Sequence, residues 1–80
     1  MIKLDLHAER VEEALDRVAR FLDEAVFRNE SEALIIHGHG KGLLKRAVRH
    51  YLSTSPYASG FRAGYPSEGG DGATVVTLRE

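Results

Sequence analysis

Apolar and polar residues alternate strictly at the start of the chain. Ile2, Leu4 and Leu6 are apolar, and the positions between and after them are polar. A two-residue period is typical of a strand with one buried face. Residues 2–7 are therefore predicted to form the first strand, with Asp5 and His7 on its polar face.

The period changes after this strand, and apolar residues recur at helical spacing from Glu9 onward. The apolar positions are Val11, Ala14, Leu15, Val18, Leu22, Ala25 and Val26. On the polar side acids precede bases by four positions, as Glu13 precedes Arg17, and this order supports a helix. The pattern predicts an amphipathic helix that ends near Asn29.

Shorter patterns predict the rest of the chain. In order, they give a strand at 33–36, a helix that begins within 40–43 and ends before Pro56, a weak strand candidate at 57–63, a glycine-rich loop at 64–72 and a strand at 74–79. The resulting order is βαβαββ, and its helical crossovers should join parallel strands.

This order predicts an α/β fold of two layers. If both crossovers are right-handed and run in the same direction, both helices cover one face of a four-stranded mixed sheet. The first two strands should be adjacent and parallel, and the last two should form an antiparallel hairpin. The 80 residues suffice for one domain, 1–80, near the lower size limit for a single core.

Composition narrows the setting of this fold. The chain has no cysteine, so apolar packing must stabilise the fold, and a reducing, cytoplasmic location is expected. Its apolar runs are far shorter than the roughly 20 residues that span a bilayer. Neither a membrane segment nor export is expected.

Charge is distributed unevenly along the chain. The net charge of −1 excludes a strongly basic domain. Between His37 and His50, however, the charged residues are all basic: Lys41, Lys45, Arg46 and Arg49. One end of the molecule is therefore expected to be locally positive.

The candidate chemistry lies where the first two strands end. His7 closes the first strand and His37 closes the second, and ligands of open α/β sheets bind beyond these carboxyl ends. A glycine-rich run then leads into the second helix: Gly38, His39, Gly40, Lys41 and Gly42. Its backbone N–H groups and the helix dipole favour a phosphate. Alone, such a turn is weak evidence, since the spacing of a Walker A loop or a dinucleotide fingerprint is missing.

Basic residues continue along the second helix. Lys41, Lys45 and Arg49 follow one another at intervals of four, with Arg46 beside them. Such a stripe could contact a nucleic-acid backbone through its phosphates without reading the base sequence. A merely solvated helix face is the alternative interpretation.

Two motifs together resemble those of the Smr (small MutS-related) domain family. They are Leu4-Asp5-Leu6-His7, and His37-Gly38-His39-Gly40 followed by Gly42 and Leu44-Lys45. The Gly69-Gly70-Asp71-Gly72 loop before Thr74, Val76 and Leu78 is similar to the family's last hairpin. The resemblance covers essentially the whole chain. One departure is Ala8, where the family usually has glycine, and this puts the shape of the first loop in question.

The resemblance implies both a fold and a function. The fold would be similar to the carboxyl-terminal domain of bacterial translation initiation factor three. The function would be that of an endonuclease domain that nicks DNA or cleaves RNA within a larger, dimeric MutS-like ATPase. Suppression of recombination, DNA repair and rescue of stalled ribosomes are the implied roles. The isolated domain is expected to be a monomer whose partners are DNA, including branched DNA, or RNA and the ribosome.

Two functions remain open on the sequence. In the first, an endonuclease uses His7 and His37 as acid and base, Asp5 orients one of them, and the glycine-rich loop holds the phosphate. In the second, the same positive surface docks on nucleic acid or a ribosome without chemistry. Substitution of the histidines by alanine separates the two, because a binding module does not need titrating groups.

No metal site is predicted. Asp5 is the only carboxylate expected at the crevice, because Glu32, Glu68 and Asp71 lie in other predicted loops. Metal-dependent nucleases usually hold Mg²⁺ or Mn²⁺ through carboxylates and substrate phosphates. No cofactor is firmly implied, and stimulation by Mg²⁺ or Mn²⁺ stays open.

Overall fold

A computed structural model describes residues 1–80 and contains two helices and four strands in the predicted order. In chain order the elements are β1 (Ile2–Asp5), α1 (Val11–Phe27), β2 (Glu32–Ile36), α2 (Leu43–Thr54), β3 (Ala58–Ala63) and β4 (Ala73–Leu78). Two short 3₁₀ turns, Pro66–Glu68 and Gly70–Gly72, occupy the segment predicted as a glycine-rich loop.

The four strands form one mixed sheet in the order β1-β2-β4-β3. β1 and β2 are parallel, and β4 runs antiparallel to both of its neighbours. The two helices contact each other, and both pack on β4. The predicted two-layer fold, with both helices on one face of a mixed sheet, is confirmed.

The core lies between the helices and the inner face of the sheet. Its largest fully buried apolar side chains are Leu6, Leu22, Ile35, Val18, Val48 and Val76. Each such side chain contributes roughly 1.5–3 kcal/mol when it leaves water. The alternation on β2 puts Ala33 and Ile35 on this inner face, and the next inward position belongs to His37.

The end of α1 follows from its last residues. Asn29 has a left-handed backbone with φ +60°, a conformation that asparagine tolerates better than most residues. The N–H groups of Asn29 and Glu30 donate to the carbonyls of Val26 and Ala25, both over 3.0 Å. This pair of bonds is a Schellman motif, which satisfies two of the last carbonyls and turns the chain toward β2.

Candidate functional site

A cleft of about 470 Å³ opens beyond the ends of β1 and β2. Its lining residues come from the loop after β1 and from the segment that joins β2 to α2, namely His7, Ala8, Glu9 and residues 37–45. The two loops touch, because the Cβ of His7 lies 3.4 Å from the position that a Cβ on Gly38 would take. The two predicted motifs therefore face each other across one cleft.

Asp5 orients the ring of His7. The Oδ1 atom of Asp5 lies 2.7 Å from Nδ1 of His7 and also accepts the backbone N–H of His7 over 3.0 Å. A carboxylate only accepts hydrogen bonds, so Nδ1 carries the proton and the Nε2 lone pair of a neutral ring stays free. These bonds hold the pKa of Asp5 below its usual value. The His7 side chain is 70% exposed, so Nε2 is accessible to a substrate.

The loop after His7 keeps a left-handed turn without glycine. Ala8 has φ +66°, which costs an L-residue with a side chain roughly 1–2 kcal/mol. Glycine, the usual family residue here, adopts this conformation freely. Ala8 therefore departs from the family motif in residue type, while its backbone has the conformation that favours glycine.

Two further residues, which the sequence patterns did not assign to the site, support this loop. Arg17 of α1 pairs with Glu9 and donates to the backbone carbonyl of Asp5 over 3.3 Å. In the sequence, Arg17 stands out only as one member of an acid–base helical series. Its contact with the end of β1 depends on how α1 packs, which local spacing does not reveal.

His37 has a very different environment from His7. The residue is only 4% exposed, and Nδ1 lies 3.2 Å from the carbonyl oxygen of Gly38 while Nε2 lies 2.9 Å from Oγ1 of Thr74. A carbonyl only accepts, so Nδ1 is the donor and Nε2 accepts the Thr74 hydroxyl hydrogen. Burial lowers the pKa of His37 and favours this neutral form. An acid–base role for His37 would first require the Thr74 contact to break.

The glycine-rich loop is anchored to the start of β4. The backbone N–H groups of His37 and Gly38 both donate to the carbonyl of Gly72, over 3.0 and 2.9 Å. Gly42, with φ +81°, precedes α2, and no side chain caps this helix. The first-turn N–H groups of α2 therefore remain available to an anion at the cleft.

His39 projects from the same loop and packs on Gly72. A Cβ added to Gly72 would lie 2.8 Å from Nε2 of His39. His39 is nevertheless exposed, and it lines the cleft that His7 also lines. The cleft thus presents two exposed imidazoles, His7 and His39.

The predicted basic stripe is only half exposed. Lys41 and Arg46 are exposed, whereas the side chains of Lys45 and Arg49 are 28% and 25% exposed. Lys45 Nζ lies 2.5 Å from Oδ2 of Asp71, and Arg49 Nη2 lies 3.6 Å from Oδ1 of the same carboxylate. Lys45 and Arg49 are therefore only partly exposed, and both face the carboxylate of Asp71.

Asp71 lies outside the cleft lining, as predicted, whereas Glu9 is a lining carboxylate that the sequence did not indicate. β4 inserts between β2 and β3, and this topology carries the loop before β4 onto α2. There Asp71 meets Lys45, whose ammonium group holds the pKa of Asp71 below its usual value. Asp71 thus offsets part of the positive charge of Lys45 and Arg49.

Carboxylates and imidazoles are too dispersed in this structure to build a metal cage. No group of three or more histidine, aspartate or glutamate side chains is placed to hold an ion.

Neither helix has the length and apolar character required to cross a membrane.

Comparison with known families agrees with this architecture. A family model described as the Smr domain matches residues 4–79. The chain belongs to the Smr domain family. Endonuclease MutS2 of Anaeromyxobacter sp. (strain Fw109-5) is 54% identical over 77 residues, which cover 96% of this chain and 10% of that protein. Endonuclease MutS2 of Staphylococcus aureus is 46% identical over 77 residues, or 96% of this chain and 11% of that protein.

The chain spans about a tenth of the length of the curated relatives that it matches. Among solved structures, the Smr domain of Thermus thermophilus MutS2 superposes with a TM-score of 0.97 at 38% identity, with full coverage of both chains. YdaL, a stand-alone small MutS-related protein from Escherichia coli, superposes with a TM-score of 0.92 at 28% identity, covering 98% of this chain and 64% of YdaL. These relatives confirm the family and fold that the motifs predicted.

Proposed function

We propose that this Smr domain binds nucleic acid and cleaves phosphodiester bonds, with His7 as the residue that transfers protons at the bound phosphate. The observation that carries the proposal is the 2.7 Å contact between Asp5 Oδ1 and His7 Nδ1, beside a glycine-rich loop that opens a helix. The name endonuclease, which its MutS2 relatives carry, supports the same activity.

The phosphate would bind at residues 38–42 and the N-terminus of α2. The first-turn N–H groups of α2 point toward the N-terminal end of the helix, and the helix dipole adds positive potential there. Lys41 and Arg46, the exposed bases, would contact neighbouring phosphates. Lys45 and Arg49 would contribute once a phosphate displaces the carboxylate of Asp71. Such contacts position the nucleic acid without selecting its base sequence.

Proton transfer would proceed through the free nitrogen of His7. Nε2 takes a proton from the nucleophile, which is water for DNA or the 2′-hydroxyl for RNA, as the new P–O bond forms. The P–O bond to the leaving oxygen then breaks, and this oxygen takes up a proton. His39, the other exposed imidazole of the cleft, is the proposed donor. Asp5 stabilises the imidazolium that forms on His7.

His37 receives a different role in this proposal from the one its position in the sequence suggested. Its ring is buried and both ring nitrogens have partners inside the protein. It would hold the glycine-rich loop in place rather than exchange protons with a substrate.

RNA and DNA should respond differently to chelation. RNA carries its own nucleophile, so two imidazoles suffice, whereas DNA must recruit a water molecule. We expect RNA cleavage to survive a chelator better than DNA nicking. Any stimulation by Mg²⁺ or Mn²⁺ would act mainly through substrate phosphate oxygens, with Asp5, which contacts His7, as the protein carboxylate candidate.

The test uses the purified chain with labelled supercoiled DNA, single-stranded DNA and RNA, with and without chelator. His7→Ala and Asp5→Asn should lose cleavage and keep binding. His50→Ala is the matched control, because His50 is exposed on α2 and does not line the cleft. Equal cleavage by wild type and His7→Ala would overturn the proposed role of His7.

A second candidate function is a docking module without chemistry. The burial of His37 favours it, because only one of the two predicted acid–base residues is exposed. Such a module would bind nucleic acid or a ribosome, and the wild-type chain would cleave none of the substrates above. In either form, we propose that the domain serves a longer, dimeric MutS2-type ATPase of the cytoplasm in suppression of recombination, repair or rescue of stalled ribosomes.

A further inference from the structure

The side chain of Thr74 connects two residues of the cleft from beneath. Thr74 is the second residue of β4 and is fully buried. Its Oγ1 lies 2.9 Å from Nε2 of His37 and accepts the Nε–H of Arg49 over 3.0 Å. Because the Gly38 carbonyl fixes the proton on Nδ1 of His37, the hydroxyl hydrogen of Thr74 is directed to Nε2. One hydroxyl group thus joins β4, the end of β2 and α2.

This hydroxyl is not required by packing. The neighbouring inward positions of β4, Val76 and Leu78, are apolar and belong to the core. A valine at position 74 would have nearly the same shape as threonine and would bury no polar atom. A hydroxyl at a fully buried position is favourable only where its hydrogen bonds are used, and here both partners belong to the basic end of the molecule.

The guanidinium of Arg49 keeps one hydrogen-bond donor without a partner. While Nε is held by Thr74, the buried Nη2 atom of Arg49 has no hydrogen-bond partner, and its nearest anionic atom is Asp71 Oδ1 at 3.6 Å. A phosphate oxygen that displaces the neighbouring carboxylate of Asp71 could pair with this donor. His37, held from the same hydroxyl, in turn donates to the first carbonyl of the glycine-rich loop.

We infer that Thr74 is a positioning residue of the phosphate site. Its hydroxyl orients the His37 ring, and through it the 38–42 loop, and at the same time aims the guanidinium of Arg49. The inference rests on the proposed function, because that function is what makes the cleft a phosphate site. The hydrogen bonds of Thr74 can be measured without any substrate.

The experiment compares wild type with Thr74→Val, which removes only the hydroxyl, and with Thr74→Ser, which restores it. Thr77→Val is the matched control, because Thr77 lies on the same strand, is exposed and makes no side-chain hydrogen bond. Thr74→Ala supplies a second hydroxyl-free variant should valine fail to fold. The first readout is the ¹⁵N shift of His37 Nε2 near neutral pH in the free protein, which reports the hydrogen bond from Thr74. The second is kcat and KM for the substrate that wild type cleaves.

We expect Thr74→Val to shift the ¹⁵Nε2 resonance of His37, which loses its hydrogen-bond donor, and to lower kcat of the order of 100-fold, as for a displaced catalytic geometry. Thr74→Ser and Thr77→Val should stay within a few-fold of wild type and keep the wild-type Nε2 resonance. An unchanged Nε2 resonance in Thr74→Val, or a shifted resonance with unchanged kcat and KM, would overturn the inference. If wild type cleaves nothing, the proposed function fails, and the inference is then decided by oligonucleotide affinity: a loss of tenfold or more in Thr74→Val supports it, and unchanged affinity refutes it.

Discussion

His7 and His37 both follow the ends of neighbouring parallel strands, yet they have opposite environments. The His7 side chain is 70% exposed and bonds to a carboxylate, whereas His37 is 4% exposed and bonds to a hydroxyl and a carbonyl. Asp5 leaves one nitrogen of His7 free, while Thr74 occupies the corresponding nitrogen of His37. The same residue type is therefore an accessible imidazole in one loop and an internal hydrogen-bond partner in the other.

The largest expected effect belongs to His7. His7→Ala should lower the cleavage rate about 100-fold or more, the usual contribution of general acid–base catalysis. The free energy of unfolding should change by less than about 0.5 kcal/mol, because the side chain is exposed and touches little of the core. Parallel rate measurements and denaturant titrations check this pair of values. If His7→Ala lost activity only because it unfolds, His7 would have a structural role like that of His37, and the prediction would be wrong.

His37→Ala should mainly lower the free energy of unfolding, unlike His7→Ala, which should mainly lower the cleavage rate. The substitution removes a buried ring and leaves the hydroxyl of Thr74 with one partner fewer. We expect the free energy of unfolding to fall by about 2–3 kcal/mol, from the cavity and the unsatisfied polar group together. Urea denaturation measures it, with His50→Ala as the exposed control. A loss below about 0.5 kcal/mol would mean that His37 is not part of the internal framework.

The pH dependence of stability below neutrality should include a contribution from His37. Burial lowers the pKa of His37 in the folded state, so the unfolded chain binds more protons once the pH falls below the ordinary histidine pKa of about 6.5. The contribution of neutral His37 to the free energy of unfolding should therefore be fully present above this pH. It should be lost as the pH falls from this value through the lowered pKa of the folded state. The carboxylates with lowered pKa values, such as Asp5 and Asp71, act only at more acidic pH.

His37→Gln is the variant that tests this dependence, because glutamine does not titrate. The midpoint temperature of thermal unfolding, measured between pH 7.5 and 5.5, should fall more in wild type than in His37→Gln. An equal decline in both proteins would assign the effect to another group.

The smallest expected effect concerns Asp71, whose carboxylate contacts the two half-buried bases, Lys45 and Arg49, and neither of the exposed ones. Asp71→Asn should raise nucleic-acid affinity a few-fold at low salt, because the carboxylate no longer competes for Lys45 and Arg49. The slope of log affinity against log salt should steepen by roughly one unit for each additional phosphate of duplex DNA that a base neutralises. Asp16→Asn makes the same charge change on the exposed side of α1 and should have little effect. Equal increases in both variants would indicate general charge rather than a local competitor.

Much of the fold could be predicted because it depends on local periodicity. The alternation of Ile2, Leu4 and Leu6 and the helical spacing of α1 reflect burial of one face, which the sequence records directly. β3 was the weakest prediction, and it is an edge strand with a register irregularity between Ala58 and Gly60. The irregularity interrupts the two-residue alternation of β3, and Gly60 has no side chain to record which face is buried.

The site was less predictable because its contacts join distant parts of the chain. Lys45 and Asp71 are 26 positions apart, and their pairing depends on the insertion of β4 beside β2. The burial of His37 did have a sequence signal. Counted by twos from Ala33 and Ile35, His37 falls on the core face of β2, and Thr74 is likewise in phase with Val76 and Leu78.

The two histidines should also respond differently to a ligand, since His7 would meet the nucleic acid while His37 supports the loop from inside. Ring ¹H–¹³C and ¹⁵N spectra of the histidines, recorded while a short single-stranded oligonucleotide is added, distinguish the two roles. We predict that the His7 resonances move in proportion to saturation, while His37 keeps its Nδ1–H tautomer throughout. A His37 ring that loses this tautomer on binding, beside a His7 ring that does not respond, would contradict this division of roles.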